Sequence, residues 1–449
     1  MPTGIALIGC GTIGSSVTKM LLHEADHLKA RSGQTLVLRH VVERDRPRAL
    51  AAGVPAKLVT DQLDVALQDD QTQIVIELMG GLEPARTFVL RALQAGKHVV
   101  TANKYLLAVH GREILAAAKK AKRCVAFEAS CGGTIPIIMA LTKGLLANDI
   151  TRIVGIVNGT CNYILTQMTQ RDGSGQSYAE ALKGAQAAGF AEANPTLDVN
   201  GTDSSHKLAI LAGLAFGAQI DVKQIEVSGI DTLQETDLKY AREMGYVCKL
   251  LAIGEKTNAQ VPEGAGGGTK GKQKRSQPTI SLRVHPTFVP ESELLANVSG
   301  SFNAISVWGH ASGQTLYYGR GAGGMPTASA VLADVIDVAM GTAPLLFSQL
   351  PLLNEPRTIK IVPSSEIIAR NYLRITALDI PGVMAQITQI FGKLKLSISA
   401  LTQHESNAGQ PVPVVVMTHE AKEGDIAKAV ALIDKLEVIK GPTVRIRVL

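Results

Sequence analysis

Short apolar runs and helical stretches alternate along the first part of the chain. Residues 5–8, 35–42, 73–78, 97–101 and 123–127 are brief runs rich in β-branched residues, and the segments between them carry apolar residues at helical spacing. A β-α-β succession of this kind predicts a parallel, doubly wound sheet. Ligands of such sheets bind at the carboxyl ends of the strands, which here carry Met79-Gly80-Gly81, Thr101-Ala102-Asn103-Lys104 and the segment from Glu128 to Gly133. Lys104 is thereby expected at a crevice; the competing reading is a surface lysine whose stem lies along apolar neighbours. The pattern changes after a Pro-containing seam at residues 351–365. A strand at 371–378, a helix at 383–393, strands at 396–403 and 412–418, a helix at 426–436 and a strand at 443–448 spell βαββαβ.

The first apolar run leads straight into Gly9-Cys10-Gly11-Thr12-Ile13-Gly14, and a helical pattern follows from residue 15 to about residue 30. Between a strand and a helix, G-x-G-x-x-G is a dinucleotide fingerprint of the Rossmann type. Gly9 allows the tight turn, Gly11 lets the backbone approach a pyrophosphate, and Gly14 lets helix and strand pack closely. The second run ends in Glu43-Arg44-Asp45-Arg46. An acid there suits the ribose 2′-hydroxyl of NAD, and an arginine suits the 2′-phosphate of NADP. Arg44, Arg46 and Arg48 tilt the balance towards NADP; they fit a solvated basic loop equally well.

Candidate chemistry concentrates between residues 189 and 207. Gly189-Phe190-Ala191-Glu192 runs through Asp198 and Asp203 to Lys207 and then enters the apolar run from Leu208 to Leu214. Asp203-Ser204-Ser205-His206-Lys207 reads as the first turn of a helix, so Asp203 and Lys207 share one face at i,i+4. A surface ion pair worth a few tenths of a kcal/mol is the ordinary reading of such a pair. Its place after a loop of Gly, Pro and Asn, and before a buried helix, favours a site. An amine beside carboxylates suits a substrate that has a carbonyl to protonate and an ammonium to hold.

Charge and cysteine content change this picture little. The 45 Lys and Arg against 39 Asp and Glu leave +6 with no basic stripe, so a small anionic cofactor is expected and nucleic acid is not. Five scattered cysteines without a C-x-x-C point to a reducing compartment, and hence to the cytoplasm. No basic leader precedes the first strand, and no apolar run is long enough to span a bilayer. A Gly-, Lys- and Gln-rich segment at 256–277 reads as a disordered insertion.

Several motifs in order resemble homoserine dehydrogenase: the glycine loop, Thr101-Ala102-Asn103-Lys104, the segment from Gly155 through Asn158-Gly159-Thr160-Cys161-Asn162 to Leu165, the segment from Gly189 to Lys207, and Gly319-Arg320-Gly321-Ala322-Gly323-Gly324 with the Met325-Pro326-Thr327 that follows. The resemblance runs from about residue 4 to about residue 345. It implies reversible reduction of L-aspartate 4-semialdehyde to L-homoserine with NAD(P)H, on the route to threonine, methionine and isoleucine. It further implies that Lys207 is the proton donor and Lys104 a second crevice lysine. Glu192 and Asp203 would hold the homoserine end, with Asp198 a further site carboxylate. Ile13, Gly189 and Gly324 would join Gly9, Gly11, Thr12, Gly14, Arg44 and Lys104 at the nucleotide. Glu128, with backbone carbonyls of Cys131, Gly133 and Ile135, would hold a structural sodium or potassium ion, and all-oxygen ligation suits such a hard cation.

The βαββαβ count with Asp379-Ile380-Pro381-Gly382 before its first helix resembles an ACT domain, which implies a small amino-acid effector, threonine being the natural one. A ferredoxin-like dimerisation module is the alternative, since fold does not fix function. The expected organisation is a dinucleotide domain at 1–133, an α+β substrate and dimerisation domain at 134–310, a return segment at 311–345, a linker at 346–365 and the ACT domain at 366–449. A homodimer or homotetramer is expected, with no membrane partner. Two rival functions stand beside this one: a phosphorylating aldehyde dehydrogenase using Cys131 or Cys161 as a thioester nucleophile, and a nucleotide sensor without turnover. A purely structural role has only the Gly–Lys insertion in its favour.

Overall fold

A computed structural model describes residues 2–169, 175–257, 279–404 and 409–449. The insertion at 256–277 falls, beyond residue 257, outside the described residues. Contacts divide the chain into two compact units. The first comprises residues 1–159, 203–225 and 302–359; the second comprises 160–202, 226–301 and 360–449.

The first unit opens with the expected parallel sheet. Its strands are β1 (Thr3–Ile8), β2 (Leu36–Val42), β3 (Val59–Thr60), β4 (Thr72–Glu77), β5 (His98–Thr101) and β6 (Val125–Ala126), in the order β3-β2-β1-β4-β5-β6, and every pairing is parallel. The order reverses beside β1, which puts the switch point of a doubly wound sheet at the glycine loop. Ile5, Leu7, Ile74, Ile76 and Val99 are fully buried, as strands covered on both faces require. The short β3, with two residues, carries no periodic signal and was not expected. The helix expected from residue 15 to about 30 is two helices, Thr12–His23 and Ala25–Ser32, broken at Glu24, which is non-helical (φ −117°, ψ 17°).

The unit continues with three antiparallel strands: Phe302–Gly309 pairs with Ile150–Ile156 on one side and with Gly313–Arg320 on the other. Helix Gly324–Ala339 then returns to pack on helix Thr12–His23. Gly324 makes that approach possible, because a Cβ there would lie 2.7 Å from Ser16 Oγ.

The second unit is built on a long antiparallel pair, Tyr246–Lys256 with Thr279–Pro290. Thr287 and Phe288 pair in turn with Arg447 and Val448 of the last strand, Val444–Val448. That strand borders Ile368–Leu378, followed by Pro411–Thr418 and Ile398–Gln403. Numbered along the βαββαβ module, the spatial order is 4-1-3-2, a ferredoxin-like sheet. Helices Val383–Lys393 and Glu423–Ile433 bury Ile387, Phe391, Ile426 and Ile433 against Leu373, Ile375, Val414 and Val416. Period-two alternation sends Tyr372 and Arg374 to the opposite face. There Tyr372 Oη donates to Asp237 Oδ1 at 2.9 Å and Arg374 Nε donates to the same oxygen at 2.6 Å. The module therefore shares buried polar contacts with residues 226–301, where the sequence suggested a separate body.

Candidate active site

Helix Thr12–His23 starts at Gly11 without a side-chain cap and without an acid in its first turn. Its first N–H groups and its dipole are thus left for an anion. The glycines divide the work as the motif implies. A Cβ on Gly14 would stand 2.1 Å from Gly9 O, Gly9 itself has φ +91°, and a Cβ on Gly11 would meet nothing within 4 Å. Gly11 is therefore the side from which a pyrophosphate can approach. Glu43 is spent on holding this turn: its carboxylate accepts from Cys10 N at 2.7 Å and from Asp45 N at 3.0 Å. Arg46 donates to the carbonyls of Val59 and Ala56, and Arg48 pairs with Asp45. Arg44 is exposed and makes no hydrogen bond or ion pair among the described residues.

At the ends of β4 and β5 a buried carboxylate sets the loops. Glu77 accepts from Met79 N at 2.9 Å, Gly80 N at 3.2 Å and Thr101 Oγ1 at 2.7 Å. Burial pushes the Glu77 carboxyl above its ordinary value. Thr101 Oγ1 accepts in turn from Asn103 N, and Asn103 caps helix Lys104–Ala121 by accepting from Leu106 N at 3.1 Å. Lys104 is thus the first residue of a helix fixed from below. Its Nζ reaches Asp203 Oδ1 at 2.9 Å, while its side chain stays partly exposed.

Asp203 joins the cluster together. Oδ2 accepts from Lys207 Nζ at 2.8 Å, one turn along helix Thr202–Phe216, and from Asn158 Nδ2 at 2.9 Å. Lys207 Nζ also donates to Val157 O at 2.6 Å, and both Lys207 and Asp203 are buried. Burial alone would raise the Asp203 carboxyl, but the charges of Lys207 and Lys104 outweigh it and hold the group well below the usual carboxylate range. His206 stacks on Tyr105 with ring centroids 4.8 Å apart, which ties together the two helices that carry the lysines.

Three of the expected site residues, Gly189, Glu192 and Asp198, lie in the second unit. Gly189, at φ +73°, follows helix Tyr178–Ala187, and Glu192 is exposed in the loop beyond it. Asp198 lies in the short helix Thr196–Val199, where its carbonyl accepts from Cys161 Sγ at 3.2 Å. In the first unit, Glu128 accepts from Ile138 N at 2.9 Å and Met139 N at 2.7 Å, while its own N–H donates to Asp334 Oδ2 at 2.8 Å. Burial lifts Glu128 to about 7 and Asp334 well above its ordinary value; the Asp337 carboxylate raises both, and Glu128 also raises Asp334. Lys143 pairs with neighbouring Asp337 at 2.5 Å. Among the described residues no cluster of three or more His, Cys, Asp or Glu is placed to hold a metal ion, so a cation beside Glu128 would rest on backbone carbonyls.

Cys131 is no candidate nucleophile. It is buried under the Lys207 carbonyl and burial pushes its thiol up to about 12, so thiolate chemistry is out of reach at neutral pH. The sequence reading missed Glu77, and gave no role to Asn158 or His206. Glu77 had a signal, an acid closing the otherwise apolar run Ile74-Val75-Ile76.

Family comparison covers both units. The profile described as homoserine dehydrogenase matches residues 136–336, its NAD-binding domain matches 9–128, and the ACT domain matches 371–438. A homoserine dehydrogenase of Neisseria gonorrhoeae is 40% identical over 99% of this chain and 98% of its own length. One from Pseudomonas aeruginosa is 39% identical over 100% and 99%. The crystal structure of a homoserine dehydrogenase from Thiobacillus denitrificans superposes with a TM-score of 0.89 at 39% identity, covering 100% of this chain and 98% of that one. A hyperthermophilic archaeal homoserine dehydrogenase mutant, solved in complex with NADPH, shares the fold over 76% of this chain at 23% identity and a TM-score of 0.59.

Proposed function

The chain belongs to the homoserine dehydrogenase family, and from that premise we propose that Lys207 is the group that moves the proton in the reaction and Asp203 the group that holds it in place. The protein is an oxidoreductase acting on a CH–OH group with a nicotinamide cofactor, interconverting L-aspartate 4-semialdehyde and L-homoserine. The nicotinamide, when bound, supplies or takes the hydride at the aldehyde carbon. Reduction then leaves an alkoxide that needs one proton. An ammonium has three N–H donors; Lys207 spends two on Val157 O and Asp203 Oδ2 and has a third for the alkoxide oxygen. The single observation that carries this reading is the shared carboxylate, which anchors Lys207 and Lys104 through different oxygens. In the oxidation direction the proton moves the other way, from the homoserine hydroxyl to the Lys207 amine. Lys104 adds positive field to the developing alkoxide. By the family resemblance, Glu192 and Asp198 take the homoserine end, with Glu192 on its ammonium.

NADPH is the preferred cofactor in this reading. Glu43 is already occupied by two backbone donors, whereas Arg44 stands exposed at the end of β2 with its guanidinium uncommitted. Gly9, Gly11, Thr12, Ile13 and Gly14 hold the pyrophosphate, with Gly189 and Gly324 as further nucleotide contacts. Initial rates with NADPH and NADH, for wild type and Arg44→Ser, test the preference. A variant that keeps the wild-type ratio removes Arg44 from it. A structural sodium or potassium ion at Glu128, Cys131, Gly133 and Ile135 is what the family resemblance implies, with Glu128 the one side-chain ligand and backbone carbonyls the rest. The ACT domain speaks for an amino-acid effector, and threonine is the pathway product that suits it. The edge strand Gly313–Arg320, with Leu316 and Tyr318 exposed, supports a homodimer or homotetramer. Among the described residues no single helix is long and apolar enough to cross a membrane. Five free, buried cysteines agree with a cytoplasmic enzyme.

A further inference from the structure

The loop from Gly321 to Gly323 joins strand Gly313–Arg320 to helix Gly324–Ala339, and Gly324 at its end touches Thr12 and Ser16 of the dinucleotide helix. One end of the loop is therefore built into the cofactor site. The other end lies on Asn303. A Cβ on Gly321 would stand 2.1 Å from Asn303 Cγ and Nδ2 and 2.4 Å from Oδ1, so the glycine backbone rests against the amide. Asn303 is wholly buried on strand Phe302–Gly309, and among the described residues neither its Nδ2 nor its Oδ1 has a hydrogen-bond partner. A buried amide that leaves both its donor and its acceptor unused is rare, because each unmet group carries a desolvation cost.

The matching groups are close at hand. Gly321 and Ala322 make no backbone–backbone hydrogen bond among the described residues, and Ala322 and Gly323 are exposed. The Gly321 peptide thus lies against an unspent amide, and only small side chains stand on the loop between it and Gly324. Strand Phe302–Gly309 also pairs Ala304 with Ile156, directly before Val157 and Asn158, which hold Lys207 and Asp203. Asn303 therefore stands between the proton-handling cluster and the loop that meets the nucleotide helix.

We propose that Asn303 is a positioning residue for the cofactor, its amide bonding the peptide groups of Gly321 and Ala322 when the loop settles on a bound dinucleotide. The amide is kept unsatisfied in one loop position so that the bound position gains hydrogen bonds. Asn303 thereby contributes to nucleotide affinity without touching the nucleotide. The inference rests on the reading that Gly324 belongs to the nucleotide site.

Asn303→Leu, close in volume and without polar atoms, separates this role from a merely structural one. Dissociation of NADPH is followed by its fluorescence, unfolding midpoints are taken with and without NADPH, and kcat is taken at saturating cofactor. The expected result is about ten-fold weaker NADPH binding, within the usual range of coupling between linked groups, with an unfolding midpoint without NADPH equal to or above wild type and kcat within about three-fold. A lowered midpoint with unchanged NADPH affinity would make Asn303 a structural amide and overturn the proposal. Gly321→Ala, which drives a methyl into the amide plane and leaves Asn303 itself intact, gives a second reading: unchanged NADPH affinity in that variant overturns it as well. Gly324→Val is the control for the underlying reading. If it leaves NADPH binding intact, the loop is no part of the cofactor site; if it alone abolishes binding, only the role of Asn303 fails.

Discussion

Lys207 and Asp203 lie one helical turn apart with Nζ 2.8 Å from Oδ2, both shut away from water. A buried ion pair of this kind is poor value as a stability device, because desolvation cancels much of its attraction. Its worth lies in holding an amine at one place. Asp203 does so twice over, since its other oxygen holds Lys104.

Lys207→Ala removes the proton donor and leaves the glycine loop untouched. The variant is expected to lose at least ~100-fold in kcat, the scale of a lost general acid, with NADPH affinity close to wild type. Turnover near normal would remove Lys207 from the reaction.

Asp203→Asn keeps the shape of the side chain and cancels its charge. Both lysines lose their common anchor, so kcat is expected to fall about 10- to 100-fold along with a rise in KM for homoserine. A change confined to KM would make Asp203 a substrate contact alone. The substitution also has a signature in acid. The folded-state pKa of Asp203 lies below its unfolded value, so its contribution to stability is present above about pH 4 and is lost as the pH falls below that. Unfolding curves of wild type and Asp203→Asn should therefore differ at neutral pH and draw together in acid. A constant gap between them at all pH values contradicts the linkage.

Glu192→Ala tests the substrate end. A carboxylate on the homoserine ammonium gives a loss that appears largely in KM for homoserine, about 30- to 1,000-fold for roughly 2–4 kcal/mol. Weaker NADPH binding with unchanged homoserine KM would place Glu192 elsewhere.

Replacing sodium and potassium in the buffer with tetramethylammonium tests the cation. Ions that bind only the folded chain raise its stability with concentration. The unfolding midpoint is expected to rise with added sodium or potassium in wild type and to respond weakly in Glu128→Gln. Equal responses in both would leave the Glu128 site without its ion.

The sequence showed the dinucleotide sheet almost completely because its strands are short apolar, β-branched runs alternating with helical spacing, and that pattern depends on local neighbours alone. Asp203 and Lys207 were legible for the same reason, being one helical turn apart. Lys104 was placed at the crevice by strand order, yet its partner Asp203 lies 99 positions along the chain and no local pattern reports such a contact. Asn303 carried no signal in the sequence; only packing shows that its amide is buried without a partner among the described residues. The break at Glu24 was hidden because apolar spacing continues through it.

The last prediction concerns the carboxyl-terminal module. A complete βαββαβ count suggests that a chain cut near residue 363 should fold and keep its activity. Three contacts within the second unit argue the other way. Asp237, fully buried, is held by Arg374 and Tyr372. Phe288 packs edge-on against Tyr372 with centroids 4.9 Å apart. Strand Thr279–Pro290 loses its pairing with Arg447 and Val448 if the last strand is removed. Removing one side of a buried charge pair costs on the order of 3–5 kcal/mol, a large share of a typical total stability. The shortened chain is therefore expected to unfold at a lower temperature than wild type, and Asp237→Ala in the full chain should reproduce part of that loss. A truncated protein with a wild-type midpoint would show that the module is independent after all. Regulation is better tested in the intact chain. Gly382, at φ +89°, starts helix Val383–Lys393 beside Asp379, and Gly382→Val strains that turn while every proposed catalytic residue is left in place. Wild type should respond to threonine, and Gly382→Val should lose the response while its activity without threonine stays near normal. An undiminished response would put the effector site outside this turn.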